Sequence, residues 1–183
     1  MSGFNWVDFI LIVFLLVGMA VGYAQGLVRQ LIGLFALYVA LVLATQFFRA
    51  LSQLAAQILK MQPNTLTNAL AFFAILIFVM AVVNLLALDA YKSTRIRLLP
   101  MIDHLGGMLL GVASMWIIAS IIVSVLYFSV NTQIWAHAEF PQQVIKAGLD
   151  TSQLASVTES TLPMIVSTIR VWMPNGLPAL FDI

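Results

Sequence analysis

Four long apolar segments, separated by polar stretches, dominate the chain. They cover residues 6–23, the stretch between Arg29 and Arg49, residues 66–88 and residues 105–130. Each is close to the ~20 apolar residues that a helix needs to cross the hydrocarbon core of a bilayer. Their interiors contain no Lys, Arg or Glu, and the only acid in them is Asp8, one turn from the start of the first segment. The pattern therefore predicts four transmembrane helices.

The connections between these segments predict how the helices are arranged. A very short turn near residues 24–28 joins the first two helices, so we expect them to be antiparallel neighbours. In the second connection, residues 49–65, apolar residues recur at helical spacing, which predicts a separate amphipathic helix lying at the membrane interface. The third connection, residues 89–103, is the most charged stretch of the chain.

The tail, residues 131–183, differs in character from the four apolar segments. We expect a four-helix transmembrane domain over residues 1–130 and an extramembrane tail with short amphipathic helices over 131–183. One tail helix is predicted over residues 141–160. A second begins at Ser160 or Thr161, with Pro163 in its first turn. This second helix is too short to span, and it either packs on the mouth of the bundle or binds headgroups or a partner protein.

The composition predicts a membrane protein. Its 183 residues are 62% hydrophobic and only 8% charged, whereas soluble domains carry about 25% charged residues. The net charge of +1 gives no reason to expect nucleic acid as a partner. The absence of cysteine excludes disulfides, thiolate nucleophiles and Cys-ligated metals. The predicted class is an all-α polytopic membrane protein.

The distribution of basic residues predicts the orientation. The first and third connections hold Arg29, Lys92, Arg95 and Arg97, whereas the second holds Arg49 and Lys60. Because Lys and Arg concentrate in cytoplasmic loops, we expect the first and third connections in the cytoplasm. Lys92, Arg95 and Arg97 then form a cytoplasmic basic loop, and both termini lie outside, in the periplasm of a bacterium.

Glycines at a spacing of four mark two of the predicted helices. They are Gly18, Gly22 and Gly26 around the first helix, and Gly107 and Gly111 in the fourth. Small residues at this spacing let helices approach closely in lipid. The stripe predicts packing within the chain, or alternatively a contact between subunits or a movable pore helix. Gly26 suits the tight turn that follows the first helix. A phosphate-binding loop is not expected, because no strand precedes these glycines.

Few polar residues are candidates for chemistry. Asn5 can cap the first helix and Asp8 can complement its positive end, although a carboxylate within a membrane can also serve as a proton or cation site. Asp103 is predicted to be the N-cap of the fourth helix, and His104 beside it can titrate near neutral pH. The sequence contains no HExxH or GxSxG motif. We therefore expect no enzyme activity, no metal and no cofactor.

Two stretches resemble a known family. The first, NWVDFILIVFLLVGMAVGYAQGLVRQLIGLFALYVALVLA, is similar to the opening of the colicin V production (CvpA) family, with a W-x-D motif and a glycine–arginine turn. The second, MIDHLGGMLLGVASMW, resembles the family's Asp-leading, glycine-containing start of the fourth helix. The matching residues are Trp6, Asp8, Gly26, Arg29, Asp103, Gly107 and Gly111. The resemblance covers residues 5 to 128 well and the tail poorly.

The chain also departs from the family pattern. Gln25 and Gln30 stand where the family often has Arg and Glu, and His104 stands where it often has Arg. A further family arginine is replaced by Ala113 or Ser114. If these charges serve a shared function, this chain has lost part of it.

The resemblance implies a bacterial inner-membrane protein with four spans, linked to colicin V production or export or to envelope maintenance. It implies no enzyme, and the partners we expect are the lipid bilayer and envelope or secretion proteins. The alternative is a channel or transporter-like protein, in which copies of the chain assemble through the glycine-striped helices.

Overall fold

The computed structural model describes residues 4–60, 65–91, 100–131 and 139–170. Within these ranges the chain forms six α-helices: α1 (Trp6–Gln25), α2 (Leu27–Leu59), α3 (Thr65–Tyr91), α4 (Pro100–Asn131), α5 (Glu139–Thr151) and α6 (Gln153–Arg170). α1 to α4 are long and apolar enough to cross a membrane. The predicted all-α class with four spans is therefore confirmed. Lys92, Arg95 and Arg97 of the basic loop lie outside the described residues.

α2 and α4 are longer than a bilayer requires. α2 has 33 residues and α4 has 32, which at 1.5 Å per residue is about 50 Å against a hydrocarbon core of about 30 Å. The separate interfacial helix predicted in the second connection is not present, because residues 49–59 continue α2 without a break. The apolar positions in this stretch extend the helix until Lys60, whose left-handed backbone (φ 51°) ends it. Both helices must therefore tilt or extend beyond the hydrocarbon core.

α4 is the central helix of the arrangement. It packs along α1, α2 and α6, and α3 packs along α2. α1 and α2 contact each other far less than either contacts α4, although a single residue connects them. The short turn had led us to expect α2 as the main neighbour of α1. The main neighbour is instead α4.

Glycines bring the backbones of α1 and α4 into direct contact. A Cβ atom added at Gly22 would collide with the carbonyl oxygen of Gly107, and one added at Gly111 would collide with that of Gly18. Gly22 lies against Gly107 and Gly18 against Gly111, so residue numbers rise along one helix as they fall along the other, and α1 and α4 are antiparallel. Close approach through small residues is a main source of helix packing in lipid. In this structure the stripe on α1 is thus covered by α4 of the same chain.

Two apolar clusters hold the helices together. The first joins α2, α3 and α4 through Leu37, Leu41, Ala44, Phe48, Ala71, Phe72 and Ile121. The second joins α1 and α4 to the tail through Val7, Leu11, Ala119, Val123, Leu149 and Ala155. α5 and α6 are therefore packed on the spanning helices by buried side chains.

The tail helices begin and end at residues other than those predicted. The helix expected over residues 141–160 is interrupted at Ser152, and α6 starts at Gln153 rather than at Ser160 or Thr161. Pro163 lies inside α6 and not in its first turn. It is exposed there, so its ring does not disturb the buried face of the helix. The hydrogen bonds around Ser152 described below explain the break.

Two glycine substitutions test the contact between α1 and α4. Gly22→Ala should lower the stability of the protein by about 1–3 kcal/mol, because the added methyl group overlaps the backbone of Gly107. Gly33→Ala is the matched control, since no atom lies within 4 Å of its added Cβ. It should stabilise α2 by about 0.5–1 kcal/mol. Thermal unfolding in mild detergent, followed by circular dichroism, measures both changes. Equal shifts of the unfolding temperature for the two variants would contradict the placement of Gly22 in the contact between α1 and α4.

Candidate functional site

The beginning of α1 is capped by its own residues. Asn5 is the N-cap, and its backbone N–H donates to Oδ2 of Asp8 at 3.0 Å, as part of a capping box. Asp8 is fully buried. The bond satisfies one of the N–H groups that have no partner within a helix. The predicted capping contacts of Asn5 and Asp8 are therefore present.

Asp8 also binds the first turn of α6. Its Oδ1 accepts a hydrogen bond from the Ser152 hydroxyl at 2.7 Å and another from the backbone N–H of Leu154 at 2.9 Å. The Ser152 oxygen in turn accepts from the N–H of Ala155 at 3.0 Å, which makes Ser152 the N-cap of α6. The positive ends of two helices thus converge on one buried carboxylate, which stabilises its charge. This arrangement joins the tail to the beginning of α1.

Asn5 and Trp6 contact the end of α5. The Asn5 amide donates to the carbonyl oxygen of Gly148 at 2.8 Å and to the Thr151 hydroxyl at 2.6 Å. The ring of Trp6 lies directly against Gly148, where an added Cβ would approach Cζ2 to 2.6 Å. The W-x-D motif therefore contacts both tail helices: Trp6 packs on α5 and Asp8 caps α6.

The other end of α1 is built around Gly26. This residue alone separates α1 from α2, with φ at +79°, a conformation that favours glycine. Its N–H donates to the carbonyl of Gly22 at 3.0 Å, and its own carbonyl accepts from Gln30 at 3.1 Å. A Cβ atom added here would collide with the carboxylate of Asp103. A residue with a side chain at position 26 would therefore have a strained backbone and would overlap the carboxylate of Asp103.

Asp103 caps a different helix from the one predicted. α4 begins at Pro100, so Asp103 lies in its first turn and not at its N-cap. Its Oδ1 accepts a hydrogen bond at 2.9 Å from the backbone N–H of Leu27, the first residue of α2. Gly26 has no side chain with which to cap α2. The acid that caps α2 therefore comes from α4, which the glycine contact holds nearby.

His104 performs the corresponding task at the end of α1. Its Nδ1 lies 2.8 Å from the carbonyl oxygen of Tyr23, and the two rings stack with centroids 4.8 Å apart. A carbonyl oxygen only accepts hydrogen bonds, so Nδ1 carries the proton. One donor and one acceptor from adjacent residues of α4 thus satisfy backbone groups on both sides of the turn.

The remaining predicted residues lie apart from these contacts. Arg29 is exposed, and within the described ranges it forms no ion pair. No three His, Asp or Glu side chains in these ranges come together as a metal site. Sequence reasoning missed Ser152 and Gly148. Ser152 precedes apolar residues as an N-cap does, whereas nothing in the sequence indicates the contact of Gly148 with Trp6.

Comparison with protein families decides the assignment. The family model described as "Colicin V production protein" matches residues 7–163. The chain belongs to the colicin V production protein family. Comparisons with curated proteins and with solved structures find no match. The family match extends through α5 to Pro163 in α6, so the tail helices belong to the shared part of the family although the tail resembled it poorly.

Removing the hydrogen bonds at Asp8 should loosen the tail. Asp8→Ala leaves the Ser152 hydroxyl and the Leu154 N–H without their acceptor, at a cost of about 1–3 kcal/mol. Hydrogen exchange at the first amides of α6, measured by mass spectrometry, should become faster. Ser160→Ala is the control, because the exposed Ser160 hydroxyl donates only to Val157 of its own helix. Unchanged protection at Leu154 and Ala155 in Asp8→Ala would contradict the role of Asp8.

Proposed function

We propose that this chain is a non-enzymatic inner-membrane protein that supports colicin V production or export, or envelope maintenance, by binding other envelope proteins. The observation that carries the proposal is the match to the colicin V production protein family over residues 7–163. The match covers most of the described helices, so the proposal concerns the whole bundle.

The contacts of the family-motif residues support a role for the protein as a scaffold. Trp6 and Asp8 bind the tail helices, and Gly26 and Asp103 join the turn between α1 and α2 to α4. Residues used in this way fix the shape of the molecule. On this proposal, the protein acts through the surfaces that this shape presents to its partners.

We further propose that the beginning of α1, the end of α4, α5 and the beginning of α6 lie on the periplasmic side. Because α1 and α4 are antiparallel and an even number of spans connects them, these parts share one side of the bilayer. The proposal for which side rests on the greater number of Lys and Arg residues in the first and third connections.

A gene deletion tests the proposed role. Loss of the gene should reduce colicin V export, seen as smaller inhibition zones on a sensitive lawn, or should lower survival in detergent. Expression of Gly33→Ala in the deletion strain should restore export or detergent survival. Asp8→Ala should restore it less well because its tail is loosened. Tagged protein purified in mild detergent should enrich the same envelope proteins in wild type and Gly33→Ala. Normal export and detergent survival in the deletion strain, together with isolation of a bare monomer, would count against the proposal.

An oligomeric channel is the second candidate, favoured by the polar outward face of α6 described below. Reconstituted protein should then conduct ions or pass solutes across liposomes. Gly22→Leu should abolish the flux, since the larger side chain separates α1 from α4 within each chain. Gly33→Ala should retain the flux. Liposomes that stay silent across voltage, membrane tension and pH would exclude this candidate.

A further inference from the structure

α6 packs against a part of α4 that lies within the bilayer. The indole N–H of Trp116 donates to the Thr161 hydroxyl at 3.0 Å. The apolar stretch of α4 runs over Met101–Asn131, and about 20 of its residues cross the hydrocarbon core. A 20-residue segment that begins at Met101 ends at residue 120, and one that ends at Asn131 begins at residue 112. Residues 112–120 are in the core in every placement, so Trp116 and its partner Thr161 are as well.

The far end of α6 also stays beside a spanning helix. The hydroxyl of Tyr38, in the first half of α2, donates to the carbonyl oxygen of Thr168 at 3.3 Å. α6 therefore runs along the bundle from Asp8 at the beginning of α1, past Trp116 of α4, to Tyr38 of α2. For α6 this position favours a place beside the spanning helices over the extramembrane one that the sequence predicted.

The outward face of α6 is polar, which is the opposite of a helix that faces lipid. Its exposed side chains are those of Gln153, Ser156, Ser160, Ser167 and Thr168, with Val157, Pro163 and Met164 between them. Its buried side is formed by Ala155, Thr158 and Leu162. The exposed residues of α1, by contrast, are large and apolar, such as Phe9, Val13 and Leu16. Lipid suits the surface of α1 and not that of α6.

Two further groups on α6 require hydrogen-bond donors. Glu159 is half-buried and lies two residues from Thr161. In the described part of the chain no Lys or Arg forms an ion pair with it, and a carboxylate in hydrocarbon is costly without water or a partner. Pro163 has no N–H, so the carbonyl of Glu159 lacks its usual α-helical donor. Water that entered along this face would satisfy both groups.

The polar surface continues from α6 to α5. Gln143, Lys146 and Asp150 are exposed on α5, which contacts the end of α4 through a hydrogen bond from Gln142 to the carbonyl of Val130 at 2.7 Å. Charged residues near the end of the bundle are thus followed by hydroxyl groups deeper along it. Such a gradient provides a path for water from the surface.

We propose that the outward face of α6 lines a water-filled cavity, which enters the membrane from the side where α1 begins and reaches the level of Trp116. A second copy of the chain fits this face less well. The hydroxyls of Ser160 and Ser167 already donate their hydrogens to carbonyls of their own helix. In a contact between two such faces, the hydroxyl oxygens could only accept hydrogen bonds, and the faces would lack donors for them. The proposal concerns access of water to this face and does not require that a solute crosses the membrane.

Cysteine labelling tests this inference directly, because the natural chain contains no cysteine. Ser156→Cys and Ser160→Cys are placed in liposomes and treated with a charged, membrane-impermeant methanethiosulfonate. Unreacted thiols are then counted by a maleimide–polyethylene glycol gel shift. Val13→Cys and Val17→Cys, exposed apolar positions of α1, are the lipid-facing controls. Gln143→Cys on α5 gives the fraction of molecules whose tail side faces the reagent.

The expected result is that Ser160→Cys reacts about tenfold or more faster than Val17→Cys, because water allows the thiolate to form. Ser156→Cys, nearer the beginning of α6, should react at least as fast. Rates as slow as those of Val13→Cys and Val17→Cys would overturn the proposal in favour of lipid. Protection from the reagent together with oxidative cross-linking of Ser160→Cys between copies would overturn it in favour of a protein interface. Ser167→Cys replaces Ser160→Cys if the latter alters thermal unfolding.

Discussion

The arrangement depends on the contact between the backbones of α1 and α4. In lipid, apolar side chains gain nothing by leaving one apolar environment for another, so close packing has to hold the helices together. Gly22 and Gly107 allow that packing because neither has a side chain to keep the helices apart. With α4 beside α1, α2 is displaced from its neighbour in sequence and α4 becomes the centre of the bundle. The same contact places Asp103 at the beginning of α2.

Two acids in the first turns of α1 and α4 serve the same physical need. The first N–H groups of a helix have no partner inside it, and an apolar environment makes an unpaired group costly. Asp8 satisfies such groups in α1 and α6, and Asp103 satisfies one in α2. The Asp8 carboxylate receives three donors in return, from Asn5, Ser152 and Leu154, and therefore tolerates burial. The acids thus connect helices that are distant in sequence.

The sequence predicted what depends on local pattern. The four spans, the capping of α1 by Asn5 and the turn at Gly26 follow from apolar length, residue type and spacing. The position of Asp103 at the start of α2 and the break at Ser152 did not follow from local pattern. Each depends on a contact between residues far apart in the chain, and Asp8 and Ser152 are separated by 144 positions. The family resemblance identified the membership correctly, because its motif residues form short local patterns around the two ends of α1 and at the beginning of α4.

The central position of α4 also has a consequence for the order of assembly. About 85 residues separate Gly22 from Gly107 in the chain. At a synthesis rate of about 5–20 residues per second, this interval corresponds to roughly 4–17 seconds. During that time α1 is in the membrane while its glycine face has no partner and the turn at Gly26 has no acid to cap α2. The newly inserted pair α1–α2 thus has an open helix-binding face until α4 is synthesised.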